Sequence, residues 1–569
     1  MLPGELTIVE QVLLNRGFEL EDIEHYLNTT DNDILDPNLL DNMKNGLSML
    51  TKHISNNDKI MIQVDSDCDG MTSAAVLINY LHSFFPQYVE NNIYYRLHEG
   101  KQHGIILETV PKDVKLVIAP DSSSNDYEVH AALAERGVDV LVIDHHEAEK
   151  VSENACIINN QLCDYPNKSL SGVGVVYKFC SYIDSMLGRD EADQFLDLVA
   201  LGMIADMVDL RTFETRHLIK IGLENIRNPF FKTMVEKQAF SLKDEITPVG
   251  IAFYIAPYVN AMMRMGSQSE KLCLFESMLN HKAYQPIPST KRGCAGQVEP
   301  RVEQACRNCT NVKNKQTKAR DNMLEIIEHV IEKNHLLSNK LLIIPLSGFD
   351  VDRNLTGLIA NQLMAKYQRP VLLLNKTENG WEGSGRGCEK SELSDFREFL
   401  SKSGWTQYSE GHANAFGVGI DEDKLQDLIY YSNKELADIE FNPNYKVDFI
   451  FQAYGFGPSD IISISDLKPI WGQNIKEALV AVEGINITKD NLVLMSRDKN
   501  PTLKINLPYG MSMIKFKSSE EEFEKLYSET GCITINAICR CEKNVWNGKV
   551  SAQLLIDDYE IIKEQKYYF

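Results

Sequence analysis

Acidic residues recur in this sequence at one kind of place, directly after a short apolar run. Asp65, Asp67 and Asp69 follow KIMIQV, Asp121 follows VKLVIA, and Asp144, His145 and His146 follow VLVI; Asp206 sits among apolar neighbours in ALGMIADMVDL. Taken singly, an Asp after a strand is a helix cap or a turn residue, and Asp69-Gly70 is an ordinary turn pair. Asp206 is different, because a carboxylate held unpaired among apolar helix neighbours is costly. Carboxylates gathered at one edge repel one another unless cations lie between them. Asp and neutral His donors suit Mn2+ or Mg2+ better than a thiolate-seeking ion. Two such ions about 4 Å apart can stabilise both the attacking and the leaving oxygen of a phosphoryl displacement. The pattern predicts a two-ion hydrolytic centre, with Asp144-His145-His146 as a metal-binding corner.

Such a centre needs a scaffold that brings distant strand ends together. From Lys59 the chain alternates strand, loop and helix: KIMIQV, DSDCDG, MTSAAVLINYLHSFF, then VKLVIA, DYEVHAALAERG and VDVLVI. Alternating short strands and helices predict a parallel α/β sheet, whose ligands bind at strand C-terminal ends. Residues 1–50 read as a helical lead-in, 51–228 as this α/β domain and 229–335 as a helical connector. A smaller α/β domain is expected over 336–430, from KLLIIPL through the glycine-rich GSGRG. Alternating runs such as EALVAVEGINI and VSAQLLIDDYEI predict an all-β module over 431–569.

At 569 residues with 43% apolar content, the chain is long enough for several cores and too apolar for wholesale disorder. Its first residues, MLPGELTIVEQVLLNRG, carry acids where a signal peptide has a basic region. No run approaches the ~18 continuous apolar residues of a membrane span, so a cytoplasmic protein without membrane attachment is expected. Twelve scattered cysteines read as reduced core residues. Cys294, Cys306 and Cys309 form the one cluster, which lacks the second close pair of a zinc site. The net charge of −23 argues against nucleic acid as partner, since phosphate contacts need Lys and Arg. A site that itself requires many carboxylates weakens that argument.

The motifs in their order resemble the DHH phosphoesterase superfamily and, within it, the RecJ single-strand-specific 5′→3′ exonucleases. VDSDCDGMTS resembles the first motif, APDSSSND the second, VIDHHE the third, and LDLVALGMIADMVDL the segment ending in the fourth. LLNRGFELEDIEHYL, NKSLSGVGVVYKF and IAPYVNAMMRMG are RecJ-like as well. GSGRG with SEGHANAFGVGI resembles the associated DHHA1 domain, and NVWNGKVSAQLLIDDYEI the last strands of RecJ's OB-fold. The resemblance implies a DHH domain and a DHHA1 domain joined by helices, then an OB-fold-like barrel. It implies two Mn2+ or Mg2+ ions, Asp65 and Asp121 holding one, and Asp67, His145 and Asp206 the other, with Asp121 shared. Asp69, Asp144 and His146 are implied as catalytic neighbours, Asp144 orienting a ligand, with water rather than a side chain as nucleophile. Arg96 and Arg264 are implied to face the DNA, while Ser384, Arg386 and His412 grip its phosphates. Single-stranded DNA is the implied substrate, assisted by a helicase or single-strand-binding protein, with the chain acting as a monomer.

Two residues depart from the family pattern. Gln63 stands where the family has His; either its carbonyl oxygen, a poorer ligand, or a loop histidine, His98 or His103 in RLHEGKQHG, would complete the first ion site. Ser123 stands where a glycine is expected. Two other readings compete with the exonuclease. One is a phosphodiesterase for short RNA or cyclic dinucleotides, whose relatives are shorter and lack a terminal β module. The other is a non-catalytic replication scaffold, a class that loses metal ligands. A bacterial and a phage origin both stay open.

Overall fold

The computed structural model describes residues 6–99, 102–243, 245–348, 351–388, 391–441, 445–496, 500–529, 531–546 and 548–566. The first sheet contains β1 (Lys59–Val64), β2 (Ile93–Leu97), β3 (Val114–Pro120), β4 (Asp139–Asp144) and β5 (Cys156–Asn159). The strands are all parallel, in the order β2-β1-β3-β4-β5. Helices cover this sheet, so β1, β3 and β4 are apolar on both faces and read as continuous runs rather than alternating ones. Val117, Val140, Val142 and Leu133 form one of its cores. The strand order reverses between β1 and β3, and in open parallel sheets that crevice is where ligands bind.

Helices Cys68–Phe84, Gly172–Leu187 and Leu196–Ala205 pack against one another beside the sheet. The first turns of the first two lie toward the crevice, for Asp67 caps the first helix and Gly172 begins the second. Two compact units divide the chain: residues 1–309 with 446–569, and residues 310–445. A short ribbon, β6 (Pro286–Pro288) with β7 (Val298–Pro300), precedes the long helix Arg301–Lys333, which crosses the boundary between them.

The second unit holds a five-stranded sheet in the order β11-β12-β10-β9-β8, namely β8 (Leu342–Leu346), β9 (Val371–Thr377), β10 (Gly380–Arg386), β11 (Tyr408–His412) and β12 (Ala415–Ile420). Its core extends beyond the expected end at residue 430. Leu428 and Leu436, on and just after helix Leu425–Glu435, pack against Leu372, Phe396 and Phe416, so this helix closes the second unit.

The C-terminal strands return to the first unit. They are β13 (Phe449–Gln452), β14 (Val480–Ile487), β15 (Leu492–Met495), β16 (Thr502–Asn506), β17 (Ser512–Lys515), β18 (Gly531–Trp546) and β19 (Lys549–Lys566), in the order β13-β14-β18-β19-β17-β16-β15. This sheet is mixed: β13 pairs in parallel with β14, and β17 with β19. The N-terminal lead-in fastens it, for Arg16 binds Asp448 at 2.7 Å. Farther along the chain, Arg216 donates to the Pro469 carbonyl at 3.3 Å.

Candidate metal centre

The acidic residues meet where β1, β3 and β4 end. Asp65 directly follows β1, Asp121 directly follows β3, and Asp144 is the last residue of β4. The Asp121 backbone turns into the left-handed region at φ +64, which swings the chain out of the strand. Two glycines let backbone approach these carboxylates. A Cβ at Gly172 would lie 2.2 Å from Asp121 Oδ1, and one at Gly70 would lie 2.6 Å from Asp65 Cβ.

The carboxylates divide into those already satisfied and those that are not. Asp69 accepts from Ser171 Oγ (2.9 Å), Gly172 N (2.7 Å) and Val173 N (3.2 Å), and so fastens one helix to the N-terminus of another. Asp144 Oδ1 accepts from His145 N (2.7 Å) and His146 Nδ1 (2.8 Å), while Oδ2 accepts from Ser124 N (3.1 Å). Both oxygens of Asp65, Oδ1 of Asp121 and Oε1 of Gln63 are buried with no hydrogen-bond partner. Imidazole nitrogens nevertheless stand close to them. His103 Nδ1 lies 2.9 Å and His98 Nε2 3.2 Å from the Asp65 oxygens, and His145 Nε2 lies 3.3 Å from Asp121 Oδ1. None of these approaches has hydrogen-bond alignment. Buried acceptors left open are rare, and where they cluster a cation is the natural partner. Ligand atoms converge on two points: one from Asp121, Asp144, His145 and His146, the other from Asp69, His145 and Asp206. The donor set of carboxylates and imidazoles fits Mn2+ or Mg2+.

Burial and crowding set the protonation of the cluster. Burial, with Asp69 and Asp67 beside it, pushes the Asp121 carboxyl well above the usual carboxylate range. Asp206 is raised to about 8 by burial and then by Asp69 and Asp67. Asp67 is raised to about 6 by burial and Asp69. Burial would raise Asp144 too, but His146 outweighs it and holds the acid at about 2. The Asp144 hydrogen bond in turn lifts His146 to about 9, whereas burial lowers His145 and favours its neutral, metal-binding form. Burial works to raise Asp65 as well; the His103 and His98 rings facing it bring it below its ordinary value.

Some sequence expectations need adjustment. Asp206 is not inside an apolar helix: the helix ends at Ala205, Met207 turns to φ +60, and the Asp206 side chain is 32% exposed. Its release from the helix is what lets it reach the centre. Asp67, expected beside His145 and Asp206, uses Oδ1 to cap Gly70 N at 3.0 Å, and Asp69 is the residue whose oxygen converges with those two. Ser123 occupies its glycine-like position at φ +81. Cys306 and Cys309 are buried in a helix and Cys294 lies in a loop; among the described residues no metal-ligand grouping includes them.

Arg96 sits on β2 and donates to Gln102 at 3.2 Å; Arg264 is exposed on helix Ala256–Met265. In the second unit, Arg386 and His412 each pair with Ala415 across the sheet, and Ser384 lies two residues before Arg386. All three therefore project from one sheet face, where Ser384 Oγ meets Thr356 Oγ1 at 3.0 Å. Asn159, the last residue of β5, gave no signal in the sequence. Its Nδ2 donates to Ser124 Oγ and to the His146 carbonyl, both at 2.9 Å, and so ties the second motif to the third.

A model of the "DHH family, N-terminal domain" matches residues 59–203. A Bacillus subtilis (strain 168) protein carries the provisional name SPbeta prophage-derived single-strand DNA-specific exonuclease YorK. It is 37% identical over 569 residues, which cover 98% of this chain and 96% of the relative. The single-stranded-DNA-specific exonuclease RecJ of Haemophilus influenzae is 24% identical, with 99% and 98% covered. In structure, RecJ from Thermus thermophilus, solved in complex with Mn2+, matches with a TM-score of 0.70 at 18% identity, over 98% of this chain and 78% of that one. The chain belongs to the DHH family, in its RecJ-like branch. Among the described residues no helix is long and apolar enough to cross a membrane.

Proposed function

We propose that the chain is a metal-dependent exonuclease that hydrolyses the phosphodiester bonds of single-stranded DNA from the 5′ end. The observation that carries this is the set of buried, unpartnered oxygens of Asp65 and Asp121 at the strand-order reversal of a parallel sheet. The whole-length relative named for a single-strand DNA-specific exonuclease, and the RecJ relatives, supply the substrate class.

Asp65 and Asp121 would hold one divalent ion, and His145 and Asp206 with Asp67 or Asp69 the other. Bound there, Mn2+ or Mg2+ supplies charge neutralisation at the phosphate and makes water acidic enough to attack at neutral pH. The side chains do the rest. Asp144 fixes the His146 ring through Nδ1 and keeps it charged, which leaves Nε2 as a cationic donor for a phosphate oxygen. Asp69 holds the Gly172–Leu187 helix against the centre. By the family resemblance, Arg96 and Arg264 would meet the DNA backbone, and Ser384, Arg386 and His412 would grip its phosphates. The C-terminal sheet, read as an OB-fold-like module, would hold the strand beyond the reacting end. Tyr454 and Tyr509, 57% and 80% exposed beside a small apolar pocket, offer ring faces for stacking bases.

Oligonucleotides labelled at the 5′ or the 3′ end, DNA and RNA, with Mn2+, Mg2+ or EDTA, test this reading. A 5′-labelled DNA single strand should release its label in small products, blunt duplex should resist, and EDTA should stop the reaction. Rapid cutting of circular single strands would refute an exonuclease.

A further inference from the structure

Helix Arg301–Lys333 carries its charges unevenly. Residues 301–320 hold six cations, Arg301, Arg307, Lys313, Lys315, Lys318 and Arg320, against one acid, Glu303. Residues 321–333 reverse the balance, with Asp321, Glu325, Glu328 and Glu332 against Lys333. In a chain of net charge −23, a helical stretch this poor in acid is the exception.

Helix geometry sorts these residues onto faces. At 3.6 residues per turn, positions 3, 4, 7 and 11 apart lie on one side. Ala305, Cys309, Val312 and Gln316 form the buried stripe. Asn311, Asn314, Lys315, Lys318 and Asn322 form a second stripe, and every one of them is exposed. That stripe runs about 16 Å along the helix axis, within the second unit. It meets its first carboxylate only at Glu325. Asp321, at its margin, is taken up by Arg320 through bonds of 2.8 and 2.6 Å.

The fold itself makes no use of the two lysines. Four residues to either side of Lys315 stand Asn311 and Ala319, and of Lys318, Asn314 and Asn322, so neither has an acid at the favourable spacing. Three residues apart on one face, the two ammonium groups repel each other, which costs the helix a little. Among the described residues neither forms an ion pair. Cations elsewhere along this helix are matched: Arg307 binds Glu299 at 2.6 Å, and Lys366 reaches Glu328 at 2.6 Å.

Resting on the exonuclease reading above, we infer that the Asn311–Asn322 face is a track for the phosphate backbone of the single strand. Lys315 and Lys318 neutralise phosphates, and the asparagine amides donate to phosphate or sugar oxygens. The stripe carries no aromatic or large apolar side chain, which the core of a protein–protein interface is rich in and which base stacking requires. Contact through the backbone alone makes this track indifferent to base sequence.

The salt dependence of binding tests the track without reference to cleavage. Fluorescence anisotropy of a labelled oligothymidylate, with the full chain in EDTA, gives affinity as a function of salt. Removing two phosphate contacts from a single strand should flatten the slope of log affinity against log salt by about 1.4. The Lys315→Gln/Lys318→Gln double variant should show that change, and should bind on the order of tenfold more weakly at 0.1 M salt. Lys333→Gln makes the same kind of charge change in the acidic half of the helix and should leave slope and affinity as in wild type. In cleavage with Mn2+, the double variant should raise KM for a long strand and leave kcat unchanged. An unaltered slope and affinity in the folded double variant would overturn the track. So would an equal loss per lysine in Lys333→Gln, which would reduce the effect to overall charge. A wild-type chain that binds no single-stranded oligonucleotide would instead overturn the exonuclease reading itself.

Discussion

Glu214 and Asp121 are carboxylates of nearly equal burial, 3% and 2% exposed, yet their surroundings are opposites. Glu214 accepts from Lys178 Nζ (2.8 Å), Tyr165 Oη (2.8 Å), Asn167 Nδ2 (3.0 Å) and the Leu35 backbone N–H (3.0 Å). Lys178 also donates to the Leu35 carbonyl, so one buried ion pair joins the lead-in, the 163–170 loop and two helices. Asp121 has an open oxygen and acidic neighbours. A buried charge that the protein itself neutralises holds a fold together; one left open destabilises it until a cation arrives. The difference separates a structural node from a functional one without reference to any relative.

The largest effect expected from this contrast is at Asp121. Asp121→Asn should lower nuclease activity by more than about 10³-fold, since several kcal/mol of ion-borne stabilisation is lost. Its melting temperature in EDTA should equal or exceed that of wild type, because an uncompensated buried acid is gone. A clear fall in that melting temperature would erase the contrast with Glu214. Lys178→Met should do the reverse. Leaving Glu214 buried and unpaired should cost about 3–5 kcal/mol in denaturant unfolding, while protein that remains folded should bind Mn2+ as before.

A pH series sharpens the comparison at a smaller scale. The raised carboxyls bind protons more tightly in the folded than in the unfolded chain. Metal-free stability should therefore fall as pH rises from the ordinary carboxylate range, about 4, through the values near 6 for Asp67 and 8 for Asp206. Ions must displace those protons, so affinity should grow by on the order of tenfold per pH unit for each proton released. The rise in melting temperature on adding Mn2+ should be larger at pH 8 than at pH 6; equal rises would mean that the carboxyls are already ionised. The smallest effect is at Ser123. Its φ of +81 suits glycine, so Ser123→Gly should stabilise the chain by up to about 1 kcal/mol in denaturant unfolding, with activity retained.

Much of this molecule is legible without its coordinates. Apolar runs of strand length, each ending in an acid, specify a parallel sheet and put those acids at one edge, because side-chain burial on both faces and strand direction are local properties of sequence. Which carboxylates are left open is not local. Asp67 and Asp69 are two residues apart and look alike in the sequence. One caps its own helix, and the other binds the N-terminus of a helix more than a hundred residues away, at Gly172. The same holds for the second unit's edge, set by Leu428 and Leu436 closing on a core that begins at Leu341. Gln63, His98 and His103 make the point most sharply. The sequence shows a Gln before the first acidic cluster and two histidines downstream, but only the pairing of β1 with β2 brings both rings to Asp65. Sequence determines which groups are available, whereas hydrogen-bond satisfaction depends on contacts between distant segments. Those contacts decide which groups remain open for chemistry.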